Sequence, residues 1–188
     1  MKKGFMKHKI GITGSAISSD NAVLQKAKRI GEEIALHGCY LLTGATTGIP
    51  YEAARGAKEK NGFVVGISPA TNLEEHIKVH KMPTENHDLI IFTGTGKKGR
   101  NVPFIRSCDA VILIAGRIGT LNEFTIAYDE GKVIGVLKGS GGISEMIPDI
   151  IAKCGKKGGT VIYDDEPKRL VERVLKEVIG GNFSLQSS

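Results

Sequence analysis

The chain has 188 residues, 40% of them hydrophobic, and a formal net charge of +6. That length suits one domain with a full core, and no apolar run approaches the ~20 residues that span a membrane. With no Trp and only 5% aromatic residues, the core must be aliphatic, and no aromatic platform for single-stranded nucleic acid is available, although one Phe or Tyr can still stack a base. Cys39, Cys108 and Cys154 lack metal-ligand spacing, and their odd number argues against a disulfide framework. A reducing cytoplasm is therefore expected. Met1–Lys9 is basic but has no apolar signal core behind it.

Strand and helix patterns alternate along the chain. Lys9–Thr13 reads as a strand ending at Gly14. Asp20 is placed to cap a helix whose Val23, Ala27, Ile30 and Ile34 share one face, and Gly38 stops it. Cys39–Thr43 is a second strand, followed by a helix from about Ile49 with Ala53, Ala54 and Ala57. Phe63–Ile67 is a third strand, ended by Pro69. Thr71–Lys81 reads as irregular, with a capping box Thr71…Glu74. Asp88–Phe92 is a fourth strand, Gly94–Gly99 a glycine- and lysine-rich loop, and Val102–Ser107 a turn or more of helix. Ala110–Ile114 is a central strand, Leu121–Asp129 a helix, and Val133–Leu137 a strand. Ile143–Cys154 is a helix with Met146, Ile147, Ile150 and Ile151 inward. Thr160–Tyr163 is the last strand and Pro167–Val178 the last helix.

The strands are short, apolar and without alternation, and helices separate them. This is the pattern of a mainly parallel sheet covered on both faces. The expected fold is a single Rossmann-like, doubly wound α/β domain over residues 1–188, with flexible ends at 1–8 and 180–188. In such sheets ligands bind beyond the carboxyl ends of the strands, near a switch in strand order. Four glycine-bearing turns fall there: Thr13-Gly14-Ser15, Thr43–Gly48, Thr93–Gly96 and Gly116-Arg117-Ile118-Gly119-Thr120. The chain has 25 glycines, and they cluster at turns after apolar runs rather than in a low-complexity tract. None of the turns is a P-loop, and the first is not a dinucleotide fingerprint. Glycine admits close approach of an anion, and the free N–H groups of the following helix point at it. Gly14, Ser15, Gly44, Gly48, Gly116, Arg117, Gly119 and Thr120 are therefore expected to line a phosphate site.

Two residues carry reactive groups. Glu123 stands one turn into the helix after the central strand, although Thr120-Leu121-Asn122-Glu123 is also a complete capping box. Arg100 sits beside Lys97 and Lys98, the cationic group best placed to draw an anion. Arg55 and Arg106 read as helix-surface cations. His37, His76, His80 and His87 have no acid at telling spacing and read as surface residues; no metal site is expected. Cys108 reads as buried filler.

Arg100–Glu123, R-N-V-P-F-I-R-S-C-D-A-V-I-L-I-A-G-R-I-G-T-L-N-E, resembles the core of the Lonely Guy family, long labelled lysine decarboxylase-like. That family is related to DNA-processing proteins and to molybdenum cofactor carriers. Gly116, Gly119, Thr120 and Glu123 match its P-G-G-x-G-T-x-x-E motif; Ala115 replaces the proline and Arg117 the second glycine. Gly44 and Gly48 echo its earlier glycine turn, and Asn101 after the arginine is more like the carrier branch. The resemblance implies a nucleotide-like phosphate ligand and a homodimer or higher oligomer. In the hydrolase branch it implies cleavage of the N-glycosidic bond of a nucleoside monophosphate, with Arg100 and Glu123 as the catalytic pair. A non-catalytic carrier or sensor of a nucleotide or molybdopterin-type cofactor is the alternative, and single-stranded DNA binding a weaker one. No resident cofactor is expected, nor the pyridoxal-phosphate lysine of a decarboxylase.

Overall fold

A computed structural model describes residues 7–17 and 20–184, with side chains to Gly180. Seven strands, β1 (Lys9–Gly14), β2 (Tyr40–Thr43), β3 (Phe63–Ser68), β4 (Leu89–Phe92), β5 (Ala110–Ile114), β6 (Val133–Leu137) and β7 (Val161–Asp164), form one sheet. Their order is β4-β3-β2-β1-β5-β6-β7 and every neighbouring pair is parallel. The fold is Rossmann-like α/β, as the alternating pattern predicts. The order reverses between β1 and β5, so a crevice opens beyond Gly14 and Ile114.

One face of the sheet carries α1 (Asn21–Leu36), α2 (Ile49–Glu59) and α7 (Pro167–Ser184). Ile10, Ile12, Ile30, Ile34, Val64, Ile112 and Val174 form their core. Asp20 caps α1 by accepting from the Ala22 and Val23 N–H groups. Gly31 and Gly56 let α1 and α2 touch, because a Cβ on either would enter the backbone of the other helix, at Ala53 and Lys28. The other face carries α4 (Asn101–Ser107), α5 (Ile118–Asp129) and α6 (Ile147–Cys154), packed through Phe104, Ile105, Val111, Leu113, Phe124 and Ile147. Cys108 is buried there, and burial pushes its thiol far above the ordinary range.

The second face is incompletely covered. Strand register puts Tyr40, Phe63, Val65, Leu89 and Ile91 on it. Phe63, Leu89 and Ile91 remain 43%, 49% and 46% exposed. Parallel sheets are ordinarily buried on both faces, so this patch is an unfilled half of the sandwich.

Several expectations need correction. Gly96–Gly99 is a helical turn, α3, rather than loop. The Thr71–Lys81 segment holds a π-turn at Glu75–Val79, and Glu75, not Glu74, accepts from Thr71. The expected helix from Ile143 is a 3-10 turn, Gly142–Met146, followed by α6, and Met146 points outward at 54% exposure. α7 continues through Gly180 to Ser184; residues 1–6 and 185–188 of the expected flexible ends lie outside the described residues. No described helix is long and apolar enough to cross a membrane.

Candidate functional site

A cleft of about 280 Å³ occupies the crevice between the β1 and β5 ends. The turn after β1 supplies Gly14 and Ser15 to its wall, the turn after β2 supplies Gly44 and Thr46, α3 supplies Lys97 and Lys98, and the start of α5 supplies Arg117, Gly119 and Thr120. Arg100, Asn101, Glu123 and Met82 also line it, with Thr13 and the apolar Ile12, Ala16, Ile17 and Pro50. Four cationic side chains thus meet a single carboxylate. Lys97, Lys98 and Arg117 are exposed, and among the described residues none is ion-paired.

The floor of the cleft is a buried ion pair. Arg100 Nη1 lies 3.1 Å from Glu123 Oε1, with the two residues 8% and 7% exposed. Thr13, at the end of β1, donates its hydroxyl to Glu123 Oε2. When the Asn101 amide turns its nitrogen inward, it donates to Glu123 Oε1 and to the Lys97 carbonyl, each at 3.1 Å. Burial pushes the Glu123 carboxyl above its ordinary value, against the pull of Arg100 and Thr13. The Arg100 guanidinium rests on the Phe104 ring at 5.4 Å, and its buried Nε has no partner among the described residues. Gly44 is needed for this packing. A Cβ there would lie 2.7 Å from the guanidinium carbon.

The α5 turn departs from the family motif in two ways. Arg117 is the N-cap, at φ −131° and ψ −161°, extended backbone that any residue adopts. A side chain is therefore carried here without backbone strain, and Arg117 lines the cleft while remaining exposed. Ala115 takes φ +50°, where a proline, fixed near about −65°, could not stand. Ser140 and Ser144 hold this conformation. The Ala115 N–H donates to Ser140 Oγ at 2.8 Å, and Ser144 donates its hydroxyl and N–H to the Ala115 carbonyl at 2.9 and 3.1 Å.

The capping-box reading of Glu123 fails. α5 begins at Ile118, three residues earlier than its Leu121 expectation, so Thr120 is inside the helix and Glu123 turns inward. Gly48 is not on the cleft wall. At φ +71° it packs against the backbone of Ser15 and Ala16, holding the first two turns together. Gly116, at φ +96°, lies behind the wall against Thr120. Met82, Ser140 and Ser144 had no sequence signal, because only the fold brings them to the site; Thr13 and Asn101 read as parts of a glycine turn and of the carrier-like wording, not as partners of Glu123.

Two histidines expected at the surface are structural. His76 is fully buried, with Nδ1 2.9 Å from Ser68 Oγ and Nε2 3.1 Å from the Pro83 carbonyl. His87 lies with Nε2 3.0 Å from Thr43 Oγ1 and Nδ1 3.0 Å from the Glu85 carbonyl, and burial holds it below its ordinary value. Both tie the loop that brings Met82 to the cleft. Among the described residues no group of three His, Cys, Asp or Glu could hold a metal.

The parallel sheet and the cleft at its switch point define a class: Rossmann-like α/β proteins with a crevice at the carboxyl edge of the sheet. Within it, the chain belongs to the SLOG cluster4 family, whose profile matches residues 7–171. An uncharacterised protein of Archaeoglobus fulgidus is 36% identical over 129 residues, 69% of this chain and 79% of that one. The molybdenum cofactor binding protein of Rippkaea orientalis shares the fold at a TM-score of 0.73 and 26% identity, over 93% of this chain and 98% of that one. The Moco carrier protein of Chlamydomonas reinhardtii shares it at 0.76 and 24%, over 94% and 99%. The resemblance read from Arg100–Glu123 and its carrier-like branch hold.

Proposed function

We propose that this protein binds a phosphorylated small molecule, nucleotide- or pterin-like, with its phosphate at the start of α5. The observation that carries this reading is that Lys97, Lys98 and Arg117, unpaired among the described residues, line one cleft with the first turn of a helix whose N–H groups have no intrahelical acceptor. Arg100 and Glu123 then face the ligand's sugar or heterocycle. The likeness to a molybdenum cofactor binding protein supports a carrier or sensor role. To test it, the melting temperature is followed as AMP is added. Ligand at a hundredfold excess over Kd stabilises by about 2.7 kcal/mol, worth roughly 5–10 °C for a chain of this size. No shift with AMP or a pterin phosphate would refute the reading.

One observation favours a catalytic second reading. Glu123 lines the cleft, and burial raises its carboxyl toward the range useful to an acid–base group. In hydrolysis of a nucleoside monophosphate the C1′–N bond breaks, water oxygen joins C1′, and the base nitrogen takes a proton. Free base released from AMP, and lost in Glu123→Gln, would support it. Binding without release leaves the carrier reading alone.

A second copy of the chain is the partner proposed for the exposed sheet face at Phe63, Leu89 and Ile91. The face is apolar and part of a parallel sheet, and an isologous contact would bury it in both copies. A cytoplasmic setting fits the free cysteines, of which Cys39 and Cys108 are buried.

A further inference from the structure

Two cavities meet at Arg117. The cleft lies on one side of the first turn of α5. On the other side is a shallow groove lined by Ile118, Ile143 and Met146 with Gly116 and Gly142. Arg117 and Gly119 line both. The two sides differ in chemistry. The cleft is cationic, with Arg100 more than nine-tenths buried and its Nε without a partner among the described residues. The groove is apolar, and it leaves Ile118 and Met146 68% and 54% exposed.

Ile118 and Met146 expose apolar surface in one groove directly beside a cationic N-cap, and a ligand lying over both would remove that surface from water. A phosphate held by Arg117 and the first-turn N–H groups would sit at the junction of the two cavities. One substituent on that phosphate reaches the polar cleft. A second would lie over Ile118 and Met146. A phosphate monoester has no second substituent and would leave the groove wet. Replacement of the motif glycine by Arg117 fits the same geometry, because a bridging phosphodiester or pyrophosphate is gripped from its side, where a guanidinium reaches two oxygens at once.

Resting on the phosphate reading above, we propose that the ligand is a phosphodiester or pyrophosphate joining two organic groups: a polar, sugar-like one in the cleft and a flat, base-like one over the Ile118–Met146 groove. Diadenosine pyrophosphate and AMP serve as probes in calorimetric titrations of the full chain. The expected result is about tenfold tighter binding of the pyrophosphate. Met146→Ser should remove most of that gain and leave AMP affinity unaltered. Equal affinities for the two compounds, or a Met146→Ser variant that weakens neither, would overturn the proposal while the phosphate reading stands. A Met146→Ser variant with altered molecular mass would assign the groove to a subunit contact and also overturn it. Failure of both compounds and of a pterin phosphate to bind would remove the phosphate reading and this proposal together.

Discussion

At the scale of single residues the site depends on the Arg100–Glu123 pair. Two charges this deeply buried are stable only together. Arg100→Met or Glu123→Leu alone should destabilise by about 3–5 kcal/mol, because each leaves the other charge uncompensated. The double variant should recover most of that loss in urea unfolding, giving a large coupling energy. Simple additivity of the two single effects would show that the pair is not a unit. Glu123 also sets a pH dependence. Its folded carboxyl is raised by burial, so the folded state holds the proton more tightly than the unfolded chain. Stability of the free protein therefore falls as pH rises from the ordinary glutamate value, about 4.5, through the folded one. Glu123→Gln should flatten that decline in melting curves between pH 4 and 8. A decline of unchanged slope would assign it to other groups.

At the scale of elements, Asp164 at the end of β7 anchors α7. Arg169 and Arg173 donate to its carboxylate at 2.8–2.9 Å, and the Glu166 N–H adds a third donor. The Arg169 hydrogen bonds, foremost, hold its carboxyl well below the usual range. A depressed folded value stabilises above the unfolded one and is lost as pH falls through and below it. Asp164→Asn should lower stability at neutral pH and make the remaining stability less sensitive to acid. Equal acid sensitivity of the two proteins would contradict this.

Elements whose signals are local were legible in the sequence. The apolar runs Ala110–Ile114 and Val133–Leu137 are strands β5 and β6 with the same bounds, and Asp20 caps α1 as its spacing predicts. Elements decided by distant partners were not. Glu123 satisfies a capping pattern, yet Thr13 and Arg100 offer its carboxylate better donors from 110 and 23 residues away. The hydroxyls of Ser68 and Thr43 claim His76 and His87 in the same way. In the cleft, Arg100, Arg117 and Glu123 follow from motif spacing. The Ser140–Ser144 clamp on Ala115 does not, because nothing in Gly139–Ser144 shows that a left-handed alanine lies beside it.

At the scale of the whole molecule, the uncovered sheet face and the cleft make separate demands. A chain of 20.1 kDa should run at about twice that mass in light scattering if a second copy fills the face at Phe63, Leu89 and Ile91. Leu89→Asp, introducing a charge into that contact, should return it to the single-chain mass. A wild-type particle of one chain would contradict the pairing without touching the site. The cleft's proposed ligand holds its phosphate at the start of α5. The most direct measurement is a crystal structure of the protein soaked in AMP. Phosphate density is expected within hydrogen-bond reach of the Gly119 and Thr120 N–H groups and the Arg117 guanidinium, with the ribose toward Arg100 and Glu123. An empty α5 turn at saturating AMP, or phosphate bound away from it, would rule out a phosphate site there.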